Sequence, residues 1–296
     1  MNRRTVLLAA VALSVPVQAA TADLVLHGSA VRLEIDGKVP DGRGALIESW
    51  VRKSADAVAR YYGKFPVPRA RIKVLITEGV GIGGGTTFPG SVPVIEIRVG
   101  RDAPAASTLT NDWVMVHEMI HLAFPYMDGK HNWMAEGIAV YVESIARVQA
   151  GHVPEAQIWR DFAKAMPKAL PKDNGGLDVT TSWGMTYWGG ALFCLLANIA
   201  IRQQTDNPGG LQQALRAINA VRDFRRDWNF RETLAIGDAA TGHQVLGMQY
   251  EAMRDTPLSI DLPALWTKLG VAARGDTVIF DETAPLAAIR KAITSG

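Results

Sequence analysis

From Leu24 to Asp36 apolar and polar residues alternate, the period of a half-buried strand, and Ala45 to Tyr62 then carries apolar residues at helical spacing up to Gly63. Arg71 to Thr77 and Val94 to Val99 alternate again and predict two further strands. From Leu109 onward the period turns helical. Helices are expected over Thr110 to Phe124 before Pro125, Trp133 to Ala150 before Gly151, and Pro154 to Ala165 before Pro167. Others follow over Thr186 to Gln203, Gly210 to Val221 and Leu262 to Leu269, the last with Asp261 as its cap and Gly270 as its stop. The pattern predicts an α+β chain, a small mixed sheet with a helix over residues 23–105 and a mainly helical part over 106–296, without internal repeats.

The N-terminus departs from this pattern. Arg3 and Arg4, an apolar run from Val6 to Val17 and small residues through Ala22 make the three parts of a secretory signal over residues 1–22, with cleavage expected between Ala19 and Asp23. The expected location is therefore outside the cytoplasm, periplasmic or extracellular. The arginine pair also fits twin-arginine export, and an uncleaved N-terminal tether is the other reading of the same composition. No later stretch reaches the roughly 18–20 apolar residues of a membrane helix, so no stable span is expected once the signal is removed.

Composition narrows the partners. With 296 residues, 48% hydrophobic and 20% charged, the chain can bury a sizeable core. Its formal charge of +2 vanishes if Arg3 and Arg4 leave with the signal. The cluster Arg222, Arg225, Arg226 is broken by Asp223 and Asp227, as on a solvated surface, and no nucleic-acid partner is expected. Cys194 is the single cysteine, which excludes an intrachain disulfide and reads as a buried thiol. Oligomeric state is not legible.

The residues with chemistry are His117-Glu118-Met119-Ile120-His121, inside a predicted helix. Residues four apart share a helix face, so this spacing presents two imidazoles to one ion, with the glutamate beside them as a general base toward water. A catalytic zinc needs a third protein ligand and an open position. His131 and Glu136 are the downstream candidates. The metzincin pattern is excluded, because Phe124 and Met127 stand where it requires Gly and His.

The segment Trp133-Met134-Ala135-Glu136-Gly137 resembles the Trp-x-x-Glu-Gly signature of the third-ligand helix in gluzincin zinc metallopeptidases, specifically the catalytic domain of membrane alanyl and glycyl aminopeptidases. The likeness covers roughly Leu109 to Val221 and, loosely, the Asp261–Gly270 helix. It implies a zincin-like fold, one zinc per chain on His117, His121 and Glu136, Glu118 as general base, and a peptide or protein as substrate. It also gives Glu143 the task of orienting a ligating histidine, the alternative being a surface carboxylate. Thr186-Tyr187-Trp188-Gly189-Gly190-Ala191 resembles the segment holding the family's transition-state tyrosine, which assigns Tyr187 to the oxyanion. Gly189 replaces the lysine of that segment, and a packed core aromatic is the other reading of Tyr187.

In that family a glycine-rich stretch and an edge strand pair with the substrate backbone, and Gly83 to Val99 occupies the corresponding place. No glutamate lies among Gly81 to Gly90 to anchor a free amine, so strict exopeptidase action is not expected and endo- versus aminopeptidase action stays open. The formal G-x-G-x-x-G of Gly79 to Gly84 precedes a strand and not a helix, which excludes a dinucleotide site. His27, His131, His152 and His243 lack ligand spacing and read as structural or solvated. Trp183, Trp188 and Phe88 are candidates for the cleft or the core. Two other functions fit the residues: a catalytically inactive gluzincin-like binding protein of the cell envelope, and a metal-dependent hydrolase of a non-peptide bond.

Overall fold

The computed structural model describes residues 20–39, 42–102, 109, 112–127, 129–170 and 175–295. The expected signal segment, apart from its last three residues, lies outside them, as do Thr110 and Asn111; the helix expected over Thr110 to Phe124 spans Val114–His121, with Asp112 and Trp113 ahead of it not helical. The alternation over Leu24 to Asp36 is not one strand. It divides into β1 (Ala20–Leu26) and β2 (Ser29–Asp36), paired antiparallel through a two-residue turn at His27 and Gly28, both left-handed with φ of 47° and 84°. That backbone matches the twist of a tight hairpin. Ala20 to Ala22, assigned above to the end of the signal, pair with Ile35 to Leu33 in β1 and are its most exposed part.

Helix α1 (Arg43–Tyr62) follows and ends on left-handed Gly63, as expected. Strands β3 (Arg69–Thr77), β4 (Ile82–Phe88) and β5 (Val94–Gly100) complete a five-stranded sheet in the order β1-β2-β3-β5-β4. β2, β3 and β5 are parallel, and both edges are antiparallel. Alternation missed β4, because Gly83 to Gly85 give no apolar period. Its register slips between Ile82 and Gly85, a bulge with Gly84 at φ 93°.

The helical part comprises α2 (Val114–His121), α3 (Asn132–Gln149), α4 (Glu155–Ala165), a single π turn at Met185–Gly189 leading into α5 (Gly190–Gln204), α6 (Leu211–Val221), α7 (Phe230–Thr241), α8 (Val245–Met253) and α9 (Leu262–Leu269). A hairpin, β6 (Val271–Arg274) with β7 (Thr277–Phe280), and α10 (Ala287–Ser295) close the chain. As expected, Asp261 caps α9, its Oδ1 accepting from Ala264 N at 2.9 Å, and Gly270 ends it at φ 69°. The sequence pattern had not announced α7, α8, the hairpin or α10. Gly237 and Gly247 interrupt the first two, and Gly237 is closely packed: a Cβ there would meet Leu246 Cδ1 at 2.6 Å, Ala214 Cβ at 3.2 Å and Ile218 Cδ1 at 3.3 Å. In α10 the polar-looking Arg290 is fully buried, bonded to Glu282 at 2.8 Å and stacked over Phe280 at 4.1 Å.

α1 packs on the sheet and on helices α2 and α3, α2 also meets β4 and β5 directly, and one continuous core joins both parts. Cys194 is buried in α5, and burial pushes its thiol above the ordinary range. Among the described residues no helix is long and apolar enough to cross a membrane.

Candidate metal centre and its cleft

Helix α2 begins where the Asp112 carboxylate accepts from the Met115 N–H at 3.2 Å, satisfying a donor that the helix cannot. Val114, Met115, Val116, Met119 and Ile120 are buried in the core, which turns His117, Glu118 and His121 toward α3 and β4. Nε2 of His117 lies 3.3 Å and Nε2 of His121 3.6 Å from Oε2 of Glu136 on α3. One ligand atom from each of the three lies within 4.8 Å of the others. Three donors placed 2.0–2.2 Å from one ion at tetrahedral angles stand about 3.3 Å apart, so the two distances to Glu136 are those a zinc site would have. Burial works to raise the Glu136 carboxyl, but hydrogen bonds from both histidines outweigh it and hold its pKa at about 2. It is therefore ionised, as a ligand must be.

Glu136 reaches this position through a close approach of two helices. Gly137 faces Gly190 at the start of α5; a Cβ on Gly137 would lie 2.3 Å from Gly190 Cα, and a Cβ on Gly190 2.1 Å from the Trp133 carbonyl. Only glycine lets the two backbones touch, which gives the Glu-Gly pair of the signature a physical reason. The contact brings the π turn, and Tyr187 within it, beside His117 and Glu136. Tyr187 is half-buried, stacks on Trp183 at 4.9 Å, and has its pKa pushed up to about 12 by burial first and then by the carboxylates of Glu136 and Glu118. It is a phenol at any physiological pH and remains a donor. Gly189, where the family has lysine, packs so that a Cβ would meet Leu177 at 2.9 Å.

Glu118 is gripped from β4. The Thr87 hydroxyl lies 2.7 Å from Glu118 Oε2 and 2.9 Å from its carbonyl oxygen, with one proton to give. Gly85 packs flat on the same side chain, with room for no Cβ: one would meet Glu118 Cγ at 2.5 Å. Neither Thr87 nor Gly85 was singled out from the sequence. The triple glycine was the available signal for the second; nothing marked the first.

Glu143 does not take the place foreseen for it. It is buried, not on the surface, and its carboxylate is bonded to Ser144 Oγ at 2.8 Å and Arg147 Nη1 at 3.1 Å, while burial raises its pKa despite them. It is near enough to His117 for their charges to interact, yet His117 Nδ1 is buried with no hydrogen-bond partner. His131 is buried away from the ligands, stacked on Phe230 at 4.0 Å, with Nε2 3.2 Å from the Tyr250 hydroxyl. That hydroxyl donates to Asp178 Oδ2 at 2.6 Å, and Trp133 Nε1 donates to Asp178 Oδ1 at 2.9 Å. The network pins the first turn of α3.

A cleft of about 270 Å³ opens over His117, His121 and Glu136, walled by Gly85 to Thr87, Phe124 to Met127, Asn132, Tyr187 and Arg222. A second hollow, on Ile82, Asp112, Trp113 and Trp183, shares Gly85, His117, Glu118 and Tyr187 with it. His117 and Glu118 thus border both open spaces. Trp183, 60% exposed, walls the second; Phe88 and Trp188 wall neither.

Burial raises the Asp112 pKa to about 6, against the backbone donors of Met115 and Val114. A carboxyl raised on folding binds more protons in the folded than in the unfolded chain, so its penalty is absent below about pH 4 and complete above about pH 6. Asp112→Asn, which keeps the acceptor, is expected to raise stability at pH 7 by about 1–2 kcal/mol and to change little at pH 4. Thermal melts at the two pH values test this, and an equal effect at both would sink it.

No protein-family model and no curated protein sequence matches this chain. Solved structures do. An aminopeptidase N family protein from Idiomarina loihiensis aligns over 86% of this chain and 49% of its own, with a TM-score of 0.60 at 13% identity. The M1 zinc metallopeptidase from Deinococcus radiodurans aligns over 82% of this chain and 52% of its own, with a TM-score of 0.53 at 16% identity. A mutant of the latter, solved with a Tyr-Ser-Ala substrate, gives a TM-score of 0.55 at 15% identity. The chain spans about half the length of these proteins. It has the α+β zincin-like fold of the M1 zinc metallopeptidases and resembles the gluzincin aminopeptidases.

Proposed function

We propose that the chain is an exported zinc-dependent peptidase that hydrolyses peptide bonds. The observation that carries the reading is the convergence of His117 and His121 on Glu136, with Glu118 and Tyr187 around the same point at the floor of a cleft. When bound, zinc would polarise the substrate carbonyl and activate water near neutral pH. Glu118, held by Thr87, takes a proton from the attacking water and returns it to the leaving amine as the C–N bond breaks. Tyr187 donates a hydrogen bond to the oxygen that gains negative charge. β4 is a sheet edge, and its free side offers backbone groups to an extended peptide. Space on both sides of Glu118 and the lack of a carboxylate on β4 favour cleavage within a chain over removal of its first residue.

The test is zinc content together with hydrolysis of a mixed peptide library. The mature chain is expected to hold one zinc and to cleave. Glu136→Ala is expected to weaken zinc binding by more than the ~10- to 100-fold typical of outer-shell changes. Stoichiometric zinc in that variant would overturn the ligand set, and a zinc-loaded wild type that cleaves no peptide would overturn the activity.

A further inference from the structure

The loop after α6 carries three arginines whose partners differ. Arg225 is held by Asp223 through two hydrogen bonds of 3.0 and 2.8 Å. Arg226 pairs with Glu232 at 2.7 Å and lies over the Trp228 ring at 4.6 Å. Arg222 has no carboxylate partner among the described residues. Its Nε donates to the Phe124 carbonyl at 3.3 Å, which leaves the Nη1–Nη2 edge, the one that takes a carboxylate end-on, for a ligand. The residue is half-buried, and it lines the same cleft as His117, Glu118, Glu136 and Tyr187. Burial lowers its pKa from the ordinary arginine value, and no charged neighbour acts against that.

A partly desolvated cation with no carboxylate in hydrogen-bonding reach is costly to keep. The carbonyl and the negative end of α6 are partial charges and do not replace an anion. Beyond Arg222 the cleft continues into a hollow walled by Pro89, Tyr126, Phe224 and Trp228 together with the charged Asp223, Arg226 and Asp227, and Tyr126 and Phe224 are 75% and 50% exposed. Substrate groups lying past Arg222 would meet aromatic surface there.

We infer that Arg222 is a specificity residue that binds a carboxylate of the peptide substrate, from an acidic side chain or from the chain's own C-terminus. This inference rests on the peptidase reading above. A guanidinium that meets its anion in a partly dry cleft discriminates against the neutral isostere, and charge-assisted hydrogen bonds are strong enough for about tenfold or more.

The experiment uses the mature, zinc-loaded chain and quenched peptides in matched sets. One arm exchanges Glu for Gln at successive positions; the other exchanges a free C-terminus for the amide. Wild type is expected to favour the carboxylate member of one arm by about tenfold or more in kcat/KM, which also identifies the source. Arg222→Gln is expected to bring that ratio to about one, Arg222→Lys to keep part of it, and Arg222→Glu to turn the preference toward a Lys-substituted peptide. Affinity of the same uncleaved peptides for the Glu118→Gln chain, with and without Arg222→Gln, gives a readout independent of turnover. A variant that only loosened the Phe124–Met127 segment would slow both members equally and leave the ratio unchanged. Cleavage with no carboxylate preference in either arm, or a preference that survives Arg222→Gln, overturns the inference and leaves the peptidase reading standing. Neither cleavage nor binding of any peptide removes both.

Discussion

Glu118→Gln is expected to keep one zinc per chain and the wild-type melting temperature while lowering kcat by about 10²- to 10⁴-fold. The substitution preserves shape, and its amide oxygen can still accept from Thr87, so the grip of β4 on α2 survives. What goes is the capacity to accept a proton from water and deliver it to the amine. Zinc analysis, a melt and single-turnover rates on one batch separate these effects. Wild-type turnover by the variant would sink the assignment of the base. Loss of zinc along with turnover would show that Glu118 acts on the metal site's architecture.

The second large effect is expected from a methyl group. In Gly85→Ala the new Cβ would lie 2.5 Å from Glu118 Cγ and 2.9 Å from its Cδ and Oε1, so strand, carboxylate or both must shift by roughly 1 Å to reach ordinary contact. A displacement of that size in a reacting group is enough to cost about 10²-fold in kcat. Zinc content is expected to be unchanged, because His117, His121 and Glu136 do not touch Gly85 in this way. Stability is expected to move far less than activity, since glycine is itself unfavourable inside a strand. A variant with native turnover would mean that the β4–Glu118 contact has no catalytic consequence.

The site was legible to the extent that its chemistry lies in short-range spacing. His117, Glu118 and His121 are fixed by one helical turn, and Glu136 by a signature on the next long helix, so both could be read before any fold was known. Residues that act across the chain could not. Thr87 and Gly85 meet Glu118 from thirty or so positions away, and Arg222 enters the cleft from the far side of α6. Glu143 was placed on the correct helix face with the wrong partner, because spacing reveals direction and not competition from Arg147 one turn later. In the sheet, the apolar positions Leu24, Leu26 and then Val31, Leu33, Ile35 change parity at His27-Gly28. That slip was the sign of the hairpin, and overlooking it merged two strands.

The glycine run in β4 bears on what kind of molecule the protein can take. Gly83 to Gly85 offer a joining chain no side chains to fit against, and a strand without them fixes register weakly. On the peptidase reading, a peptide docked there would be recognised by its ability to lie straight, with its amide groups free, and not by the letters of its sequence at those positions. On the same reading, a folded domain whose strands are already paired would not meet that requirement. Loops, tails and unfolded segments meet it, which ties susceptibility to the conformational state of the target before any side chain is consulted.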